Sequence, residues 1–125
     1  METDIIKEVA KRVAVEHFNN PDIIKELCTP DFTVHFSWGA EFKGSEEVVA
    51  LLQEYKANPR VVIDDCFAES NKVVMRFRAF FQLKEDREVT RNEIAIARFE
   101  GKKIAEWWAA FDRQSEKKQG GGIKI

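Results

Sequence analysis

The sequence is short of several things, and each shortage excludes a class of protein. Only two cysteines, Cys28 and Cys66, occur in 125 residues. That is too few for a disulfide scaffold, and no CxxC pair or Cys/His cluster has zinc-ligand spacing. Buried thiols in a reducing compartment are expected instead. Six glycines and three prolines do not make a linker or a low-complexity chain. Neither sign of charge predominates: 20 Lys+Arg against 22 Asp+Glu leave a net −2, whereas nucleic-acid modules usually carry a basic excess. The longest apolar runs, Val48–Leu52 and Trp107–Phe111, fall far below the roughly 18 residues of a membrane span. The start, Met1-Glu2-Thr3-Asp4, is acidic and unlike a secretory signal. Neither nucleic acid nor membrane is an expected partner, and the expected location is cytoplasmic. With no Gly-rich phosphate loop, Ser/His/Asp set or metal spacing, no cofactor and no metal are expected.

What is present describes one folded domain. Hydrophobic residues make up 44% and charged residues 34%, the balance of a globule with a core and a busy surface. Thr3 to Asn19 carries Ile6, Val9, Ala10, Val13 and His17 at helical spacing, with Thr3 as a cap. Pro21 suits the first position of a short helix through Leu27. Thr29-Pro30-Asp31 reads as a break, after which Phe32–Trp38 alternates as a strand. Gly39 and Gly44 bracket a short return through Phe42, and Ser45 caps a third helix that Asn58-Pro59 stops. Four strands follow, Arg60–Ala68, Lys72–Lys84, Arg87–Glu100 and Lys103–Asp112. The polar turns between them, Ser70-Asn71, Glu85-Asp86 and Gly101-Lys102, predict an antiparallel meander. Residues 1–114 are read as the domain and 115–125 as a loose polar tail with Gly120-Gly121-Gly122. Helices followed by a long sheet make an α+β chain.

The closing segment, Ala97-Arg98-Phe99-Glu100-Gly101-Lys102-Lys103-Ile104-Ala105-Glu106-Trp107-Trp108-Ala109-Ala110-Phe111-Asp112, resembles the last hairpin of the SnoaL-like branch of the nuclear transport factor 2-like superfamily. Pro30–His35 and Phe42–Val48 are similar to that family's first strand, its turn and its third helix. The resemblance implies a cone or roll: three N-terminal helices packed in the concave side of a curved antiparallel sheet, with an apolar pocket at the open end. Members of the superfamily include cyclases, isomerases, epoxide hydrolases and domains with no chemistry, so the fold alone assigns no reaction. Aligned with the isomerases, the base falls on Phe36 and its two oxyanion partners near Val13 and Ala95. The Asp that cyclases and epoxide hydrolases carry after the last-strand Trp falls on Ala109. None of these four can carry a proton.

Strand parity supplies other candidates. A turn centred on Glu85-Asp86 places Arg78 opposite Glu93 and Arg76 opposite Ala95. One face then carries Val74, Arg76, Arg78, Phe80, Arg91, Glu93, Ala95, Ala97 and Phe99; the other carries Met75, Phe77, Ala79, Phe81, Ile94 and Ile96. Patterning alone buries the second face under the helices and wets the first. The resemblance implies the opposite, because epoxide hydrolases hold pocket residues at the positions of Arg76 and Arg78. The expected ligand-binding set is therefore Arg76, Arg78, Glu93 and Asp65 as the polar end, with Phe36, Trp38, Trp107 and Phe111 as walls. An ordinary ion-pair cluster on a wet face is the competing reading of the charges. His17 is read as structural and His35 as packed or at the surface. Asp64 and Asp65, adjacent in a strand, are expected on opposite faces.

Three helices cannot cover two apolar sheet faces, so a homodimer through the convex face is expected, with Phe77, Phe81, Ile94, Ile96 and Trp108 near the contact. Two functions remain open. One is a small-molecule-binding domain for a mainly apolar ligand, with or without isomerase, cyclase or hydrolase chemistry. The other is a non-enzymatic dimerisation or interaction domain whose cavity its own rings fill.

Overall fold

The N-terminal periodicity becomes helix α1, Glu2–Glu16. The structure is a computed structural model describing residues 2–55, 58–84 and 87–112, with the backbone alone for Glu2, Leu83 and Lys84. Ile6, Ala10, Val13 and Ala14 form the buried stripe of α1. A turn at Asn20 leads into α2, Ile23–Leu27, two residues later than Pro21 would start it.

Strand β1 spans Cys28–Phe36 and runs straight through Thr29-Pro30-Asp31, where a break was expected. Its register with the neighbouring strand shifts between Cys28 and Thr33, and such an irregularity is where a strand tolerates proline. After β2, Glu41–Lys43, helix α3 covers Ser45–Gln53. Gly44, not Ser45, is its cap residue, at φ 91°. Glycine adopts that backbone at little cost, and the Gly44 N–H donates to the Phe32 carbonyl at 2.8 Å, tying the start of α3 to β1.

Strands β3 (Arg60–Glu69), β4 (Lys72–Lys84), β5 (Arg87–Glu100) and β6 (Lys103–Phe111) form the expected antiparallel meander. The six-stranded order is β2-β1-β6-β5-β4-β3. Strand β1 lies parallel to β6, so the curved, open sheet of this α+β fold is mixed. No hairpin links those two strands, and turn chemistry could not set their direction.

The side-chain assignment turns on single-residue irregularities. At the β4–β5 turn Lys84 pairs with Arg87, the register that a turn at Glu85-Asp86 dictates. The register then shifts between Gln82 and Lys84, and beyond it Phe77 faces Glu93, Arg78 faces Asn92 and Arg76 faces Ile94. A one-residue slip carries every later side chain to the other face. The expected pairs Arg78/Glu93 and Arg76/Ala95 are therefore corrected. Met75, Phe77, Ala79 and Phe81 share the inner face with Arg91, Glu93, Ala95 and Ala97, whereas Ile94 and Ile96 point outward. Patterning was right for β4 and wrong for its match to β5. A shift between Ile63 and Asp65 in β3 and another at Arg98/Phe99 in the β5–β6 pair add bends of the same kind.

Phe77 and Phe81, expected at a subunit contact, are 0% exposed and belong to the core. That core joins the inner faces of β4 and β5 to Ile6, Ala10, Val13 and Phe18 of the first helical segment and to Val48, Val49 and Leu52 of α3. Among the described residues no helix is long and apolar enough to cross a membrane. The expected tail from Ser115 lies outside the described residues.

Candidate functional site

Below the inner face of the sheet, the helices leave a cavity. Its volume is about 60 Å³. Its floor is aliphatic, with Val13, Ile24, Val34, Val48 and Leu52 among its lining. Aromatic rings shape the rest. Phe36 stacks on Trp38 at 4.7 Å and meets Phe111 edge-on at 6.0 Å, and Trp38 meets Phe111 at 5.1 Å. On another side Phe18 packs edge-on to Phe81 at 5.3 Å and to Tyr55 at 5.0 Å.

Five groups with polar side-chain atoms line this apolar space: His17, Tyr55, Arg91, Glu93 and the indole of Trp107. Arg91 and Glu93 are adjacent inward positions of β5 and are only 2% and 6% exposed. The Arg91 guanidinium lies 3.8 Å from the Phe111 ring centre and 5.2 Å from that of Phe81, a cation–π seat for a charge held from water. His17 follows the last turn of α1. Its Nδ1 is 2.8 Å from the Val13 carbonyl oxygen and 3.0 Å from that of Ala14. Burial pushes the imidazole down to about 4, against the opposing pull of those carbonyls and with the Arg91 charge adding to the drop. The ring is neutral at pH 7.

Four of the expected ligand-binding residues, Phe36, Glu93, Trp107 and Phe111, line the cavity. Trp38 stands at its edge, stacked on Phe36 and 37% exposed. The other three lie on the outer face. Arg76 reaches Asp65 through Nη2 at 2.7 Å, with the Arg76 side chain 57% exposed. Arg78 grips Asp64 with two hydrogen bonds, Nε at 2.9 Å and Nη2 at 2.8 Å. That grip holds the Asp64 carboxyl below its usual range, against partial burial, and raises Arg78. The shift in β3 beside Asp64 lets both neighbouring aspartates reach these outer arginines, which corrects their expected split across the sheet. Arg76 and Glu93 share one space only where β6 ends: a second, more open recess of about 400 Å³ also touches Asp64 and Phe111.

Arg91, His17 and Tyr55 were not singled out as ligand residues from the sequence. Parity did put Arg91 beside Glu93 on one face of β5, and that was the available signal. His35 lies outside, its Nε2 2.6 Å from Glu106 and its Nδ1 2.9 Å from Glu41, stacked on Trp108. Burial favours protonation of Glu106, but hydrogen bonds from His35 and Arg98, with their charges, outweigh it and hold Glu106 below its ordinary value. Of the thiols, Cys28 is buried and pushed up to about 12 by that burial, and Cys66 is half-buried and raised for the same reason. Among the described residues, no group of three or more His, Cys, Asp or Glu side chains is arranged to hold a metal.

Residues 11–107 match the SnoaL-like domain family. Solved structures share the architecture. An LEH-like epoxide hydrolase from M. tuberculosis is 15% identical, with TM-score 0.81 over 95% of this chain and 91% of that one. A protein from Jannaschia sp. CCS1, proposed to be a SnoaL-like polyketide cyclase, is 16% identical, with TM-score 0.77 over 89% and 88%. A protein of ketosteroid isomerase-like fold from Catenulispora acidiphila, crystallised with trimethylamine, is 18% identical, with TM-score 0.79 over 92% and 93%. Identities this low establish a shared fold and leave the chemistry open. No curated protein matches the chain in sequence.

Proposed function

Because the chain belongs to the SnoaL-like domain family, we propose that it works through its inner cavity, binding a compact, mainly apolar small molecule with one oxygen-bearing polar group. The observation that carries this reading is the placement of Arg91 and Glu93. Both are almost fully buried, and both line a space walled by rings and aliphatic side chains. Burying charge is costly, and a domain that needed only a filled core would gain more from Leu or Met at those positions. A few convergent polar groups in an apolar concavity are the normal make-up of a small-molecule site.

The guanidinium of Arg91 is suited to polarise a ligand carbonyl, hydroxyl or epoxide oxygen. Phe36 and Ala109 also line the cavity, but neither can carry a proton. Glu93 is the carboxylate of the cavity lining, beside His17 and Tyr55, and is suited to act as an acid or base for proton transfer there. Hydrolysis and cyclisation, the activities named for two of the structural neighbours, are the reaction classes to test first.

Native mass spectrometry of the purified protein should show a retained small molecule, or uptake of one from a panel of apolar epoxides and hydroxylated aromatics. Arg91→Ala should weaken that binding by about 1–3 kcal/mol, the cost of a lost partner to a buried polar group. Wild-type protein that takes up nothing from such a panel would favour the interaction-domain alternative.

A further inference from the structure

We infer that His17 is a specificity-determining residue of the cavity: its Nε2 accepts a hydrogen bond from a ligand O–H or N–H, so the site selects a neutral donor-bearing molecule. The inference rests on the cavity being a ligand site, as proposed above, and adds which chemistry it prefers.

The tautomer follows from geometry. Nδ1 faces two backbone carbonyl oxygens, Val13 at 2.8 Å and Ala14 at 3.0 Å. Carbonyl oxygens only accept, so Nδ1 carries the proton and donates. The remaining nitrogen, Nε2, then holds a lone pair. Among the described residues no hydrogen bond to Nε2 is formed, and it is not a sealed buried atom. The ring lines the cavity, and Phe18 lies against it at 4.0 Å between ring centres. One neutral acceptor is therefore carried by a half-buried ring that lines a largely apolar space.

The charges around it sharpen the preference. Gaining a second proton would place an imidazolium close to the Arg91 guanidinium, and burial opposes that too. His17 therefore stays an acceptor across the neutral range. An anionic ligand would gain from Arg91 but meet the Glu93 carboxylate, and it would bring no hydrogen for Nε2. A hydroxyl on an apolar ring satisfies both sides, donating to Nε2 while its oxygen remains open to a donor such as Arg91. A site built to accept a hydroxyl hydrogen rejects the analogue that lacks it, because the acceptor is then left dry and unpaired.

Phenol, anisole and benzoate are ring-matched probes of this preference, titrated at pH 7 into the full-length protein and followed by NMR. Phenol should bind about tenfold or more tightly than anisole, the equivalent of one neutral hydrogen bond, and more tightly than benzoate. His17→Phe, which keeps a ring against Phe18, should remove the gap between phenol and anisole. A measurement on the wild type needs no variant: nitrogen-15 signals of His17 should show a protonated Nδ1 and a bare Nε2, and phenol should shift the Nε2 signal. Equal binding of phenol and anisole, tighter binding of benzoate, or a protonated Nε2 would overturn the role of His17 and leave the cavity as a ligand site. Absence of binding by all three probes and by the wider panel would remove both.

Discussion

Phe77 shows how much one side chain's position changes its expected behaviour. Read as part of a subunit contact, it would split a dimer when charged; fully buried in the core, it holds the fold itself. Phe77→Ala should cost about 3–5 kcal/mol of stability, measured by urea unfolding. A loss of under 1 kcal/mol would contradict its placement. His17 supplies a pH dependence. Its folded value near 4 lies below the ordinary 6.5, so the unfolded chain binds the extra proton first. Stability is then whole above about pH 6.5 and falls as pH drops toward 4, by at most about 3 kcal/mol from this group. Asp64 and Glu106, both held low, act with the same sign further into acid: their contribution is present above the ordinary carboxylate range and is lost as pH falls through their depressed values. His17→Gln should flatten the upper part of the profile and leave the lower part. An unchanged slope between pH 6.5 and 4 would mean that His17 is not the group responsible.

At the scale of elements, turns were legible and irregularities within strands were not. Ser70-Asn71, Glu85-Asp86 and Gly101-Lys102 carry recognisable turn chemistry, so the meander from β3 to β6 followed from them, and the place of β1 beside β6 did not. The inserted residues that shift register between Gln82 and Lys84, and between Ile63 and Asp65, have no such signature. They arise from how a bent sheet fits its helices, which is a tertiary requirement. The walls Phe36, Trp107 and Phe111 could be read from alternation within a single strand, whereas an inward Glu93 was expected only from the family resemblance, because patterning alone wets its face. Arg76 and Arg78 were misplaced because their position relative to Glu93 had to be carried across a register shift. Tyr55 and His17 enter the cavity from the helical side, and nothing local links them to β5. Gly101, at φ 63° in the β5–β6 turn with open space where a side chain would go, tests the turn alone. Gly101→Ala should cost about 1 kcal/mol from backbone strain, seen as a lower urea midpoint with an unchanged fluorescence spectrum. A neutral result would mean that the turn relaxes.

For the whole molecule, we propose that a second copy covers the outer face of the sheet. Ile94 and Ile96 are 53% and 36% exposed and border a shallow apolar recess of about 200 Å³ with Trp108 and His35. Beside this patch Arg98 pairs with Glu106 at 3.0 Å, so its rim carries both signs of charge and suits a two-fold contact with itself. Sedimentation equilibrium at micromolar concentration should give twice the chain mass, and Ile96→Lys should return it to one without loss of fold. A wild-type monomer would remove the proposal. The parallel pairing of β1 with β6 bears on how the chain comes off the ribosome. The first long strand waits for the last one, since Val34 pairs with Trp107 and Phe36 with Ala109. Until β6 emerges, β1 has only the short β2 to pair with, and the cavity lacks Trp107, Ala109 and Phe111 from its wall. Contacts so distant in sequence are slow to close, and an unpaired strand edge is open to wrong neighbours meanwhile. Completion of the cavity and completion of folding are thus one late event, so a nascent chain stalled before β6 would expose an unfinished edge and an open cavity wall.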